Sequence, residues 1–266
     1  MRTSAPLSAE FHARDHALGS PGGSPAAAAT SGPAIEASGL CRRYGRRWAL
    51  VNIALEIPRG AAVMVAGRNG SGKSTLFRVL STAIRADRGE AKIDGFDLWR
   101  DRAEVRKRLA LLSHYAYTYE ALTALQNLQV AARLIGKDAE RDALMPLLQL
   151  VDLDGRADDG VSTFSAGMRK RLSIARTLLQ DASIVLLDEP YGQLDPPGFR
   201  FVDHLFQHFR ERGATVLMAT HQIERGAALC DYGLVLDAGR ATWFGSALDL
   251  PSRSGLDSDG LSEGGF

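Results

Sequence analysis

Residues 67–75, Gly67-Arg68-Asn69-Gly70-Ser71-Gly72-Lys73-Ser74-Thr75, fill the spacing G-x-x-x-x-G-K-[ST], and the chemistry of that spacing is phosphate binding. Glycines let backbone N–H groups approach an anion, and a lysine adds a positive charge. The hydroxyl beside it is an oxygen ligand suited to Mg²⁺. Lys73 is expected to reach the β- and γ-phosphates of a nucleotide and Ser74 to hold the metal. Asp188 and Glu189 are a second candidate pair, two adjacent carboxylates directly after a run at 183–187 that is apolar from Ile184 onward. Asp188 is expected to hold the metal through water, and Glu189, partly desolvated, to take a proton as general base from a water near the γ-phosphate. His221 follows another apolar run at 214–219 and has two readings, a structural histidine or a contact to the γ-phosphate. Tyr44 also has two: a ring that stacks on a base, or a rim aromatic without a ligand.

Such groups act together only if strands and turns deliver them to one place. Residues 61–66 are a continuous apolar run that predicts a buried strand, and after Lys73 the residues Leu76, Phe77, Leu80 and Ile84 recur at helical spacing. The glycines therefore sit where a strand turns into a helix. Residues 49–57 put Val51, Ile53, Leu55 and Ile57 on one face of a half-buried strand, preceded by an alternating stretch from Ile35 with Gly39 and Gly45 as breaks. A short strand and turn are expected over 90–98, and a strand over 109–112 that ends at Ser113 and His114. From 120 to 160 the pattern is helical. Thr123 is placed to cap a helix carrying Leu125, Leu128, Val130, Leu134 and Ile135, and a second helix is expected over 137–151 despite Pro146. A long amphipathic helix then runs to Leu179, and Ser165 as its cap makes that first turn a second candidate anion site.

The chain has 266 residues, 24% charged and 45% hydrophobic, enough for one sizeable core. Its net charge of +1 gives no basic field of the kind that governs nucleic-acid binding, and no nucleic-acid partner is expected. The arginines at 42–47 and 100–108 read as solvated faces. Cys41 and Cys230 form no C-x-x-C pair and imply no disulfide framework, which suits a reducing compartment. No stretch approaches the roughly 20 apolar residues of a membrane helix, so any membrane role is expected from the surface. Residues 1–33 are rich in Ala, Pro, Gly and Ser and are expected to be a disordered tail, and 251–266 a loose one.

The order Tyr44, Gly67 to Thr75, Phe164-Ser165-Ala166-Gly167-Met168, the acidic strand ending at Glu189, Gln193-Leu194-Asp195 and His221 resembles the ATP-binding subunit of ABC transporters, over about residues 35 to 245. The resemblance implies an α/β fold of P-loop NTPase type: a mixed sheet core, an antiparallel N-terminal β subdomain, and a helical subdomain at about 120–165 within an ATP-binding domain at 34–250. It implies ATP and Mg²⁺ as ligands, with residues 67–75 on the phosphates, Tyr44 on adenine, Glu189 as catalytic base and His221 as the sensor of the γ-phosphate. Asp195 would lie in the loop crossing to the partner. Ser165, Ala166 and Gly167 would bind the ATP held by a second ATP-binding subunit, as in a head-to-tail homodimer that works with integral-membrane permease subunits at the cytoplasmic face of the inner membrane. Two positions depart from the family. Phe164, Ala166 and Met168 alter a signature that usually reads Leu-Ser-Gly-Gly-Gln. His114 stands where a glutamine usually reaches Mg²⁺; imidazole is a poor Mg²⁺ ligand, so His114 works through water or serves the partner contact. Ser113-His114 with the Ser165-Ala166-Gly167 signature is similar to the haem-exporter ATPases of cytochrome c maturation, and the expectation is haem export. Exporters of drugs, lipids or polysaccharides are the alternative, and non-transport ATPases of the family fit poorly because the chain has one cassette and no heptad run.

Overall fold

The computed structural model describes residues 32–113 and 117–250. The expectations for His114, for nearly all of the N-terminal tail and for the C-terminal tail fall outside those residues.

The chain opens with β1 (Ile35–Tyr44) and β2 (Arg47–Ile57), which pair antiparallel; β4 (Arg88–Ile93) and β5 (Phe96–Asp97) extend them into a sheet of order β2-β1-β4-β5. Gly39 does not break β1 but bulges it at φ +66°, with the register shifting between Ala37 and Leu40. A second irregularity corrects the expected face of β2. Leu50 lies opposite Arg42 and Ile53 opposite Leu40, so Val51 and Asn52 on one strand match the single residue Cys41 on the other, with Asn52 left-handed at φ +52°. The extra residue shifts the alternation, and Leu50, Ile53 and Ile57 are fully buried while Val51 is half-exposed.

The second sheet has the order β10-β9-β3-β8-β7-β6, built from β3 (Ala62–Ala66), β6 (Leu109–Leu112), β7 (Ile184–Asp188), β8 (Thr215–Ala219), β9 (Tyr232–Asp237) and β10 (Arg240–Ser246). All its pairs are parallel except β9 with β10. β3, β7 and β8 are buried along their whole length, as strands covered on both faces must be. Side-chain alternation then divides the core. Val63, Val65, Leu186 and Leu217 pack with the first sheet and with α1 (Lys73–Leu80), whereas Val185, Leu187, Val216 and Met218 pack with α6 (Pro196–Glu211) and with the helices before β7.

Those helices are α3 (Ala124–Leu134), α4 (Arg141–Leu150) and α5 (Ala166–Gln180); α2 (Arg102–Arg108) and α7 (Ile223–Leu229) lie elsewhere against the sheets. Thr123 caps α3 with a reciprocal box, its Oγ1 accepting from Gln126 N at 3.1 Å while its N–H donates to Gln126 Oε1 at 2.9 Å. Leu125 and Leu128 are buried, but Leu134 is 76% exposed, so the apolar stripe expected for α3 loses its last turn to solvent. Pro146 sits inside α4, which starts only at Arg141.

Candidate active site

Parallel strands end on one edge of their sheet, which is where the three candidate segments meet. β3 runs into Gly67–Gly72 and α1. Gly67 at φ +145° and Gly72 at φ +112° have a backbone and surroundings that admit no side chain: a Cβ at Gly67 would stand 2.2 Å from the Leu236 carbonyl oxygen, and one at Gly72 2.6 Å from that of Ala49. The loop is thus held close against β2 and β9, and the first-turn amides of α1, which lack intrahelical acceptors, face a cleft. Lys73 is 8% exposed and donates to the carbonyls of Gly67 (2.6 Å) and Arg68 (3.2 Å), leaving one of its three N–H donors for a ligand. Burial lowers its pKa, with the carboxylates of Glu189 and Asp188 opposing the shift.

β7 delivers Asp188 and Glu189 beside that loop. Ser74 Oγ donates to Asp188 Oδ1 at 3.1 Å, so a hydroxyl and a carboxylate, both hard oxygen donors, converge. Glu189 takes a left-handed backbone at φ +49°, pinned through its N–H to the Ala219 carbonyl at 2.8 Å and through its own carbonyl, which accepts from Gly192 N at 3.1 Å and Lys170 Nζ at 3.0 Å. Burial raises the pKa of its carboxyl; His221 and Lys73 pull it back and Asp188 adds to the rise. His221 Nε2 stands 3.2 Å from Glu189 Oε1, yet out of hydrogen-bond alignment, so Oε1 is buried without a bonded partner while Oε2 accepts from His221 N at 3.4 Å.

The cleft of about 490 Å³ is lined by Tyr44, Arg47, Ala49, residues 69–75, Glu189 and His221. Tyr44 stands at its rim with the Arg42 guanidinium 5.0 Å from the ring centroid. Gly67 and Arg68 do not line it; they act from beneath, through the carbonyls that hold Lys73. Ser165, Ala166 and Gly167 are not brought to this cleft: Ser165 caps α5, accepting from Met168 N at 3.2 Å, and it and Ala166 are exposed. Asp195 caps α6, accepting from Gly198 N at 3.0 Å. Arg47 is exposed, as a solvated face requires, and its Nη2 also reaches the Gly70 carbonyl at 3.5 Å over the phosphate loop. Lys170 was missed, although it falls on the stripe of α5 that buries Ile174, Thr177 and Leu178 at helical spacing.

The site fits a phosphorylated nucleotide. Two buried oxygens, Ser71 Oγ and Glu189 Oε1, have no hydrogen-bond partner, and the glycine cradle leaves room for nothing bulkier than backbone on its inner side. It also fits Mg²⁺ in kind. Among the described residues no three His, Cys, Asp or Glu side chains form a metal cage, and Mg²⁺ is usually held by one or two protein oxygens together with phosphates and water.

Residues 50–192 match the family model described as ABC transporter. The chain is 38% identical over 226 residues to a daunorubicin resistance ATP-binding protein of Streptomyces coeruleorubidus, covering 84% of this chain and 72% of that one. It is 28% identical, with the same coverage, to a linearmycin resistance ATP-binding protein of Bacillus subtilis. Among solved structures it is similar to an ATP-binding subunit of an ABC transporter, with a TM-score of 0.74 and 27% identity over 84% of this chain and 94% of that chain. The Streptomyces and Bacillus relatives carry drug-resistance names, and the narrower resemblance to haem exporters gives way to them.

Proposed function

Since this chain belongs to the ABC transporter family, as an ATP-binding subunit that hydrolyses ATP, we propose that it energises an exporter of the drug-resistance type. The observation that carries the chemistry is the convergence of Glu189 and the phosphate loop in one cleft, with a buried Oε1 lacking a bonded partner. In this reading, Tyr44 stacks on the adenine and residues 69–75 and Lys73 hold the phosphates. Ser74 and Asp188 would hold Mg²⁺, which when bound neutralises charge on the phosphate oxygens. Glu189 accepts a proton from the water whose oxygen bonds to the γ-phosphorus as the bond to the ADP oxygen breaks. His221 orients Glu189 and meets the γ-phosphate. The carboxylate is poised for this because enclosure makes it more basic than an exposed glutamate.

The exposed first turn of α5 supports a head-to-tail pairing in which Ser165, Ala166 and Gly167 meet the nucleotide of a second subunit. A groove of about 190 Å³ between β6, α3 and α5, lined by Leu111, Tyr117, Leu134 and Ile135, supports the permease contact, since apolar side chains left in solvent together mark interaction surfaces. No helix of the described residues is long and apolar enough to cross a membrane, which suits a subunit bound at the membrane surface. A drug is the cargo class that the resistance names of the relatives support; haem export loses its support with the narrower resemblance.

Glu189→Gln tests the chemistry. The variant is expected to retain ATP and to sediment as a pair in its presence, with hydrolysis abolished. Hydrolysis at the wild-type rate would remove Glu189 from the role of base.

A further inference from the structure

Lys170 lies on α5, four residues beyond Ala166 in the first turn that faces the proposed partner, and is only 2% exposed. Its Nζ donates to the Glu189 carbonyl at 3.0 Å and reaches the Ser113 carbonyl at 3.5 Å. Among the described residues no carboxylate lies within ion-pair reach of it. Burying an ammonium is costly even after relaxation, and two carbonyls are modest compensation. Burial indeed pushes its pKa down to about 8, against the opposing fields of Asp188 and Glu189. An apolar side chain would fill this place on the buried stripe of α5 without that penalty, so the charge is there for what it holds.

What it holds is a strained turn. A non-glycine residue at φ +49° is disfavoured and persists only where its neighbours over-determine it. At Glu189 the Ala219 carbonyl fixes one side of the residue, and Gly192 N and Lys170 Nζ fix the other. Of these three ties, that from Lys170 is the one made by a side chain of another helix. We propose that Lys170 is a positioning residue for Glu189: its ammonium fixes the left-handed turn that points the carboxylate into the cleft, and joins that turn to the helix whose N-terminus meets the partner's nucleotide. Engagement of the partner at Ser165 is thereby linked, along one rigid helical turn, to the aim of the base in the same subunit. The inference rests on Glu189 being the base.

The test is steady-state ATP hydrolysis by the full-length chain carrying Lys170→Met, which keeps length and apolar bulk, or Lys170→Arg, which keeps charge and donors. Misplacing a catalytic group by about 1 Å can lower the rate about 100-fold. The methionine variant is therefore expected to lose kcat on that scale with the KM for ATP unchanged, and the arginine variant to recover most of it. Wild-type kcat in Lys170→Met overturns the inference. So does a loss shared by binding and rate that arginine does not mend, which is the mark of a structural lysine. Should the methionine variant not fold, Lys170→Gln against Lys170→Arg is read on the same two parameters. Glu189→Gln is run beside them: if it hydrolyses ATP normally the base assignment has failed, whereas if it is inactive and Lys170→Met is normal, only the role of Lys170 has.

Discussion

At Glu189, burial raises the carboxyl pKa more than the nearby His221 and Lys73 lower it. The base must be unprotonated to act, so hydrolysis is expected to fall as pH drops, with its midpoint above the ordinary glutamate value of about 4.3. A rate that stayed level down to that value would contradict the assignment. Tyr44 is governed by geometry rather than charge. It stands at the cleft rim with one cation beside its ring, so Tyr44→Ala should weaken ATP binding by about 1–2 kcal/mol, the worth of one stacking contact. Titration with ATP checks this, and unchanged affinity would leave the ring a rim aromatic. Glu189 could be named from sequence because it stands at the end of an apolar strand, a strong local signal, whereas Tyr44 took its role from the resemblance alone. Arg47 could not be placed, since its approach to Gly70 spans two segments that no local pattern joins.

Among the elements, α3 was most legible, because Thr123 and Gln126 carry their capping bonds within one turn. Thr123→Ala should lower stability by about 0.5–2 kcal/mol, seen as a lower melting temperature with ATP affinity unchanged; a loss of affinity would mean that the cap also serves the cleft. β2 was less legible. Its alternation reads cleanly from Val51 to Ile57, yet the bulge at Asn52 turns Leu50 into the core, and a bulge is a property of two paired strands. The phosphate loop lies between these cases. Its glycines are visible in the chain, but their reason is the Leu236 and Ala49 carbonyls that close on Gly67 and Gly72. Gly67→Ala should therefore abolish ATP binding, and retained binding would show that β9 can give way.

For the whole molecule, the exposed start of α5 separates folding from function. An aspartate in the first turn of a helix favours the helix by about 0.3–1 kcal/mol, whereas the same charge facing a partner's phosphate repels it. Ala166→Asp is expected to leave thermal stability unchanged or slightly higher and to reduce hydrolysis about tenfold or more, as like charges brought together across an interface do. Full activity would mean that this turn does not meet the second nucleotide. The sequence by itself determined the phosphate loop, the acidic strand end, the signature turn and their order, because each is a local spacing whose chemistry depends on a few adjacent residues. Only the tertiary structure decided that Lys170 reaches the Glu189 carbonyl, that Arg47 overhangs Gly70, and that Ser165 lies away from its own chain's cleft. Those facts depend on how parallel strands and a packed helix bring distant residues within 3 to 4 Å, and linear spacing carries no record of such distances.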